Sequence, residues 1–435
     1  MTAPAITMAW VPRAGESDGR PFGLARITRI ITVLLAVSLL YSGAAAWGWN
    51  TGRLPAPPLA VMLMMFALTG IAVLLDLSKL GSGAVIGWAL TNLSIAMVAF
   101  LWSSGSDAAL QEVLTRTLSS LQLIAFVVLL ADARVRRVAR AAIVATSLMA
   151  VVTNLWEITH PMVFSMSLGR SAGFYVNPNI TGAALIASML LGLPAVPARL
   201  REVYVLTVAV GVFTTLSRGA LLCWLMVIVF LVASRAVRGK RLAITFAVGA
   251  TLALSVASAM LAKGQFGYLG GGAEQFVRKR LAIGNKEQLG TDVSASSRSH
   301  LAMRAVEMFG ERPLNGHGTG ATVEWSEPES THNIYVRHFA EYGLVGAWLV
   351  PLLLVLCWRA AGVNGIGDTV EPSLRAATSR AFVVFVGLWG LFSHNVIDDG
   401  FVLMGIALTA AIPGVAPRAT TQRSRTISAP VGDRP

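Results

Sequence analysis

The stretch from Ser294 to Glu341, SASSRSHLAMRAVEMFGERPLNGHGTGATVEWSEPESTHNIYVRHFAE, closes the only long polar interval between apolar segments in this chain. It gathers Arg298, Arg304, Arg312 and Arg337 with His300, His317 and His332, far more chemistry than any other span of its length. Working outward in both directions, apolar runs alternate with short polar gaps. That alternation decides the fold: a membrane scaffold that holds one polar loop at one face of a bilayer.

Composition agrees. The 435 residues are 55% hydrophobic and only 13% charged, against roughly 25% charged in soluble domains. The formal net charge of +13 invites a nucleic-acid reading, but the basic residues are not pooled in one patch. They punctuate the gaps between apolar runs, as membrane topology requires, so no nucleic-acid partner is expected. The two cysteines, Cys223 and Cys357, each sit inside an apolar run. That pattern argues against a disulfide framework, a thiolate metal site or a thiol nucleophile.

About 20 mostly apolar residues cross the roughly 30 Å of hydrocarbon. Segments 27–47, 58–76, 83–102, 115–131, 138–157, 180–196, 201–217, 219–234, 242–262, 333–358, 380–396 and 400–416 meet this description. The expected fold is therefore an all-α polytopic membrane protein with about 12 transmembrane helices and one long, partly helical periplasmic loop. Its parts are a cytoplasmic arm (1–26), nine spans (27–262), the large loop (263–331), three spans (332–416) and a disordered cytoplasmic tail (417–435). The arm lacks the short apolar core of a cleaved signal. Within 201–234, the halves meet at Ser217-Arg218-Gly219, which must be a tight turn or a break.

Orientation follows from Lys and Arg. With the N-terminus inside, cytoplasmic segments collect Arg26, Arg29, Lys79, Arg134, Arg136, Arg137, Arg140, Arg199, Arg201, Arg235, Arg238, Lys240 and Arg241, among others. The short outer loops hold only Arg53, Arg116, Arg170 and Arg218. The asymmetry calls for both termini in the cytoplasm and the long loop outside, which in a bacterial inner membrane means the periplasm.

Three residues carry the strongest chemical signal. Arg218 is flanked by apolar sequence on both sides, where an arginine costs at least a few kcal/mol unless paired or facing a wet cavity. Snorkelling to the interface is the bland account; an outward-opening anion clamp is the functional one, and the one favoured. Arg298 falls in the first turn of a helix expected over 297–309, with Leu301, Ala305, Met308 and Phe309 on one stripe and Ser296 or Ser297 as cap. A cation there opposes the macrodipole, unless a bound phosphate takes the free amides and the guanidinium together; a solvated loop arginine is the alternative. His332 stands where the outer loop becomes a membrane helix. Its face is expected to continue through Val336, Phe339, Gly343 and Gly346, the glycines allowing close approach of a neighbouring helix. Neutral imidazole accepts a proton near pH 7, although an interfacial histidine is as often a hydrogen-bonded fixture. Arg337 and Glu341, four apart, are expected to pair.

Other constellations are weaker. His300, His317, His332 and His338 have no recognisable ligand spacing, so no metal and no cofactor are expected. His394, Asn395, Asp398 and Asp399 form a second polar cluster, either lining the same cavity or merely capping a turn. There is no nucleophile elbow and no P-loop.

Four motifs in order, GRSAGFYVNPNITGAAL (169–185), LSRGALL (216–222), SRSHLAMRAVEMFGERPLNGHGTG (297–320) and HNIYVRHFAEYGLVG (332–346), resemble the O-antigen ligase and polymerase superfamily. These are integral-membrane glycosyltransferases acting on polyprenyl-diphosphate glycans. The resemblance implies that Arg218 and Arg298 bind the diphosphate and that His332 is the base for the acceptor hydroxyl. It makes Asn177 and Asn179 structural or cavity-lining, and leaves Arg170, Asn333 and Tyr335 as further candidates for the cavity wall. His317, in Gly-His-Gly-Thr-Gly, departs from the small or apolar residue usual there and is a possible substrate contact. The implied donor is an undecaprenyl-diphosphate-linked glycan, the acceptor a lipid A–core sugar, and the surroundings membrane lipid. Two cations without acidic metal ligands suit a diphosphate leaving group neutralised by arginine. A ligase is the leading expectation. A polymerase lengthening the same lipid-linked chain is the nearest rival, followed by a protein-glycosylating relative and a polyprenyl-glycan flippase.

Overall fold

The structure, a computed structural model, describes residues 24–55, 58–74, 83–167, 169–262, 293–325, 331–362 and 371–410. Most of the expected cytoplasmic arm, the loop segment 263–292 and the whole expected tail 417–435 lie outside them. Among the described residues the regular structure is helical throughout. In chain order the helices are α1 (Leu24–Ser42), α2 (Ala44–Asn50), α3 (Pro58–Leu74), α4 (Ala84–Phe100), α5 (Asp107–Leu129) and α6 (Ala133–Thr159). Then come α7 (Pro178–Gly192), α8 (Arg201–Thr214), α9 (Arg218–Ala233) and α10 (Gly239–Ala262). The polar loop contributes α11 (Val293–Glu311) and α12 (Ala321–Glu324). Last are α13 (Ile334–Ala347), α14 (Leu349–Ala361), α15 (Pro372–Trp389) and α16 (Gly400–Ala410).

Two helices sit at the centre. The first is α7, apolar all round and buried on nearly every face, packing against α6, α8, α9, α15 and α16. A helix with no polar stripe has no face to give to water, so it becomes core. The second is α5, buried along its C-terminal half and packed against α3, α4 and α16. Their side chains, such as Leu123, Phe126, Leu185 and Leu190, join Phe382, Phe385 and Met404 in one continuous core. The outward faces are also apolar: Leu90, Leu148, Val152, Val210, Leu225, Val229 and Leu352 are all exposed. An apolar mantle of this extent is incompatible with water and suits hydrocarbon.

Within the described residues each expected segment overlaps a helix or helix pair, but length sorts them. Among the described residues α1, α5, α6 and α7 with its 3-10 extension to Ala195 are long and apolar enough to cross a membrane alone. The pair α13–α14 does so only if its 66° bend is counted within one span. Shorter apolar helices include Ala84–Phe100, Arg218–Ala233 and Gly400–Ala410. Several expected boundaries move; three of the changes are breaks, bends or early ends. Segment 27–47 breaks at Gly43, whose left-handed φ of 72° ends α1. Segment 333–358 is the bent pair. Segment 380–396 stops at Trp389, leaving 390–399 as a connection into α16.

The polar loop is fastened at a further kink, inside α13. Gly343 has φ 61° and ψ −151° inside α13, a conformation open to glycine, and carbonyls near it lose their usual partners. Those of Ala340 and Glu341 accept from His317 and Gly318 amides at 3.0 and 2.9 Å, and Leu344 donates to the Pro313 carbonyl at 2.8 Å. The close approach expected of Gly343 is therefore to loop backbone, since a Cβ there would stand 2.6 Å from the Leu314 carbonyl group, and not to another membrane helix. The far end of this loop is held as firmly: Thr319 donates to the Ala96 carbonyl at 2.7 Å, and the Glu324 carboxylate accepts from the Ala109 amide at 3.1 Å and from the Ser106 hydroxyl. A carboxylate at the start of α5 also suits the positive end of that helix. On the near side Leu301, Ala305 and Met308 of α11 are buried as the stripe required, and Phe309 meets Phe339 edge to face.

Candidate functional site

The Ser217-Arg218-Gly219 sequence is a tight turn. Leu216, at φ 47°, reverses the chain after α8, and the Ser217 side chain caps α9 by accepting from the Ala220 amide. Arg218 is thereby the first residue of a 16-residue helix, whose leading amides have no intrahelical carbonyl to meet. That turn opens on a cavity of about 200 Å³ lined by Arg170, Asn179, Ser217, Arg218, Gly219, Arg298, Trp389 and Phe392. Three guanidinium-bearing residues from three separate parts of the chain converge there. Among the described lining residues none is acidic.

Arg170 is held from both sides. Its Nε donates to the Thr215 carbonyl at 2.9 Å and an Nη to Asn179 Oδ1 at 2.8 Å, so it bridges the α8–α9 turn and the start of α7. Asn177 is the cap of α7, accepting from the Asn179 amide at 2.9 Å; it shapes the wall without lining it. The loop that presents Arg170 is organised by a carboxylate to which the sequence reading gave no weight. Glu157 accepts from the amides of Phe164, Ala172 and Gly173 at 3.0, 2.7 and 3.0 Å, and also from Ser165. A lone glutamate near the end of an apolar helix was the available signal.

Arg298 reaches the cavity by a different route from the one expected. Helix α11 starts at Val293, upstream of Ser296 and Ser297, so neither serine is its cap and Arg298 lies in the second turn. Amides at that depth already belong to the helix ladder, which leaves the guanidinium as the contribution of Arg298. The combination of first-turn cation and helix terminus expected at Arg298 occurs at Arg218 instead.

His332 is not among the residues lining this cavity. It precedes α13, whose cap is Asn333, accepting from the Tyr335 and Val336 amides at 3.0 and 3.2 Å. The helical face proposed through His332 therefore begins one cap too early. Three contacts tie this corner to the cavity wall: Ile334 donates to the Gly390 carbonyl at 3.0 Å, Tyr335 Oη to the Gly387 carbonyl at 2.8 Å, and the His332 ring lies 5.8 Å from that of His394. Trp389 and Phe392, which line the cavity, belong to the same turn. His317 is absorbed in the loop's own bonding: Nε2 donates to the Met308 carbonyl at 2.8 Å, and Glu311 stands 3.5 Å away.

Beside this corner lies a buried charge cluster that sequence reasoning largely missed. Arg116, expected in a short outer loop, is fully buried within α5. Its guanidinium contacts Glu112 at 3.1 Å and Asp398 at 3.0 Å. Arg337, also buried, contacts Glu112 at 2.6 Å and Glu341 at 3.1 Å, and donates to Asn395 Oδ1 at 3.2 Å. Thr322 of α12 adds a hydroxyl to Glu341 at 2.7 Å. The Arg337–Glu341 and Glu112–Arg116 pairs are each four apart on one helix; that the two pairs meet each other and Asp398 is decided by distant segments. At the edge of the cluster, burial and then the charge of Asp398 push the Asp399 carboxyl up to about 7.

Helices with an apolar mantle, a polar cap fastened on one end and an arginine-rich cavity beneath it define an integral membrane protein with a cationic cavity. The family model described as O-antigen ligase (Wzy_C) matches residues 203–350, about a third of the chain, and supports placing it in the O-antigen ligase superfamily. The matched stretch runs from α8 to the start of α14 and contains Arg218, Arg298 and His332, but neither Arg170 nor Asn179. No curated protein matches the chain.

Proposed function

We propose that this protein is an O-antigen ligase: it transfers a glycan from undecaprenyl diphosphate to a sugar hydroxyl of lipid A–core at the periplasmic face of the bacterial inner membrane. About twelve segments embed it there, with the polar loop outside. The observation that carries the proposal is the convergence of Arg170, Arg218 and Arg298 on one cavity, a charge arrangement complementary to a diphosphate. In the reaction the acceptor oxygen forms a bond to the anomeric carbon while the bond from that carbon to the phosphate oxygen breaks. The electron pair leaves with the diphosphate, whose growing negative charge Arg218 and Arg298 stabilise; Arg170 and the start of α9 add to the same field. His332 takes the proton of the acceptor hydroxyl. A single displacement inverts the anomeric configuration.

Purified protein supplied with lipid-linked glycan and lipid A–core tests this directly. Transfer without an ion gradient is expected, and His332→Ala is expected to lower its rate by about 10²–10⁴-fold. An undiminished rate in that variant overturns the role of His332. In cells lacking the protein, core without any attached repeat supports the ligase. Core carrying a single repeat identifies a polymerase instead.

A further inference from the structure

A second arginine cluster lies at the opposite end of the same helices. Helix α7 begins at the first cavity, by Asn179, and ends in the 3-10 turn Leu193–Ala195; α8 begins at Arg201 and returns to the first cavity at Ser217. At 1.5 Å per residue, each path covers about 22–24 Å. The far end holds a cavity of about 390 Å³ lined by Arg137, Arg140, Ala141, Pro194, Ala195, Arg201 and Glu371. Its lining thus sets three arginines against one glutamate.

This is more than a scatter of surface charge. Arg140, counted from sequence among the cytoplasmic basic residues, is only 3% exposed. Arg201 is fixed by its contact with Glu371 at 3.9 Å and its Nε donation to the Val196 carbonyl at 3.4 Å. Arg136, in the same run, contrasts with them: its guanidinium donates to the Leu130 and Ala131 carbonyls, both at 2.9 Å, and so secures the α5–α6 corner.

The cavity also continues into an apolar groove of about 340 Å³, with Ala141 and Ala195 lining both. The groove runs between α6, by Val144 and Leu148, and α8, by Val203 and Thr207 with Leu200 just before that helix. It extends about 10 Å along α8, away from the arginines. Leu148, Leu200 and Val203 are exposed on the outward apolar face of the bundle, where the groove opens to the hydrocarbon. A cationic chamber opening into a lipid-facing groove matches one chemistry, a headgroup phosphate joined to an acyl chain.

We infer that the chamber and groove between α6, α7 and α8 bind an anionic phospholipid. Its phosphodiester sits among Arg137, Arg140 and Arg201 and its acyl chain lies against Val144, Leu148 and Val203. This lipid site is separate from the proposed diphosphate site and faces the other leaflet. Basic pockets between membrane helices on the cytoplasmic side are suited to such headgroups.

Native mass spectrometry of the full chain, released from bilayers containing phosphatidylglycerol and phosphatidylcholine, tests the inference. Wild-type protein is expected to retain one phosphatidylglycerol in preference to phosphatidylcholine. The double variant Arg137→Gln/Arg201→Gln should lose that preference by about tenfold. Thr207→Trp, which fills the groove and leaves every arginine in place, should reduce retention too, so the test survives if the charge variant does not fold. Equal retention of both lipids by wild-type protein overturns the inference. So does displacement of the lipid by millimolar inorganic phosphate, because the groove would then contribute nothing.

Discussion

The buried charge cluster and the cavity under the polar loop both collect arginines, and they do so on opposite terms. In the buried cluster two guanidiniums, Arg116 and Arg337, meet three carboxylates, Glu112, Glu341 and Asp398, at 2.6 to 3.1 Å. In the cavity Arg170, Arg218 and Arg298 share a wall that includes no acidic residue among those described. Removing a charge from water costs several kcal/mol, and only close opposite charge with good geometry recovers it. The first region supplies that opposite charge from its own chain and behaves as scaffold. The second is the region proposed to receive an anion from outside, and that proposal is what would separate a structural arginine from a binding one.

The largest expected effect comes from unbalancing the scaffold. Arg337→Met leaves the buried Glu341 without its arginine and Glu112 with Arg116 alone, and should cost about 3–5 kcal/mol, seen as a large fall in thermal unfolding temperature in detergent. Adding Glu341→Gln should recover part of that loss. An unchanged unfolding temperature in Arg337→Met would mean that the cluster is not structural, and the comparison fails.

Next comes the cavity. Arg218→Ala should reduce glycan transfer by about 10²–10³-fold while leaving thermal unfolding close to wild type. Arg218→Lys should fall between, because a single ammonium cannot reproduce the planar two-pronged contact of a guanidinium. A variant that unfolds without losing specific activity would move Arg218 into the scaffold class and erase the distinction.

The smallest effect sharpens the boundary between them. Asp399 ionises only at about 7 in the folded protein, against an ordinary 3.8. The unfolded chain therefore releases this proton first, and the folded state loses stability as pH rises through that window. Asp399→Asn should raise the unfolding temperature by about 2–4 °C at pH 8 and leave it unchanged near pH 4. An equal gain at both pH values would show that charge is not the cause.

Much of this was readable beforehand, residue by residue. Arg218 announces itself because an arginine in an apolar run is costly wherever it lies, and Arg337–Glu341 because helix geometry brings residues four apart together. The stripe of Leu301, Ala305 and Met308 is likewise a local periodicity. Arg116 was misplaced for the opposite reason. Glu112 stands four residues back on the same helix, but Asp398 lies on a distant segment, and a charged residue near a span boundary reads as loop until that distant partner is seen. Arg140 was counted among the cytoplasmic cations at the start of a span, and only packing shows that it is buried. The start of α11 also escaped, since SASS offers several serines and the helix begins before them.

What the sequence determined by itself is therefore what repeats or costs locally: apolar runs long enough for hydrocarbon, the order of the helices, a polar loop at one face and the isolated cation at Arg218. Only the tertiary structure decided which arginines share a cavity, which are neutralised by distant carboxylates and where Gly343 breaks α13 to seat the loop. The reason is physical. Burial and helix periodicity act along the chain within a few residues, whereas charge compensation acts through space, and its partners are chosen when the helices pack.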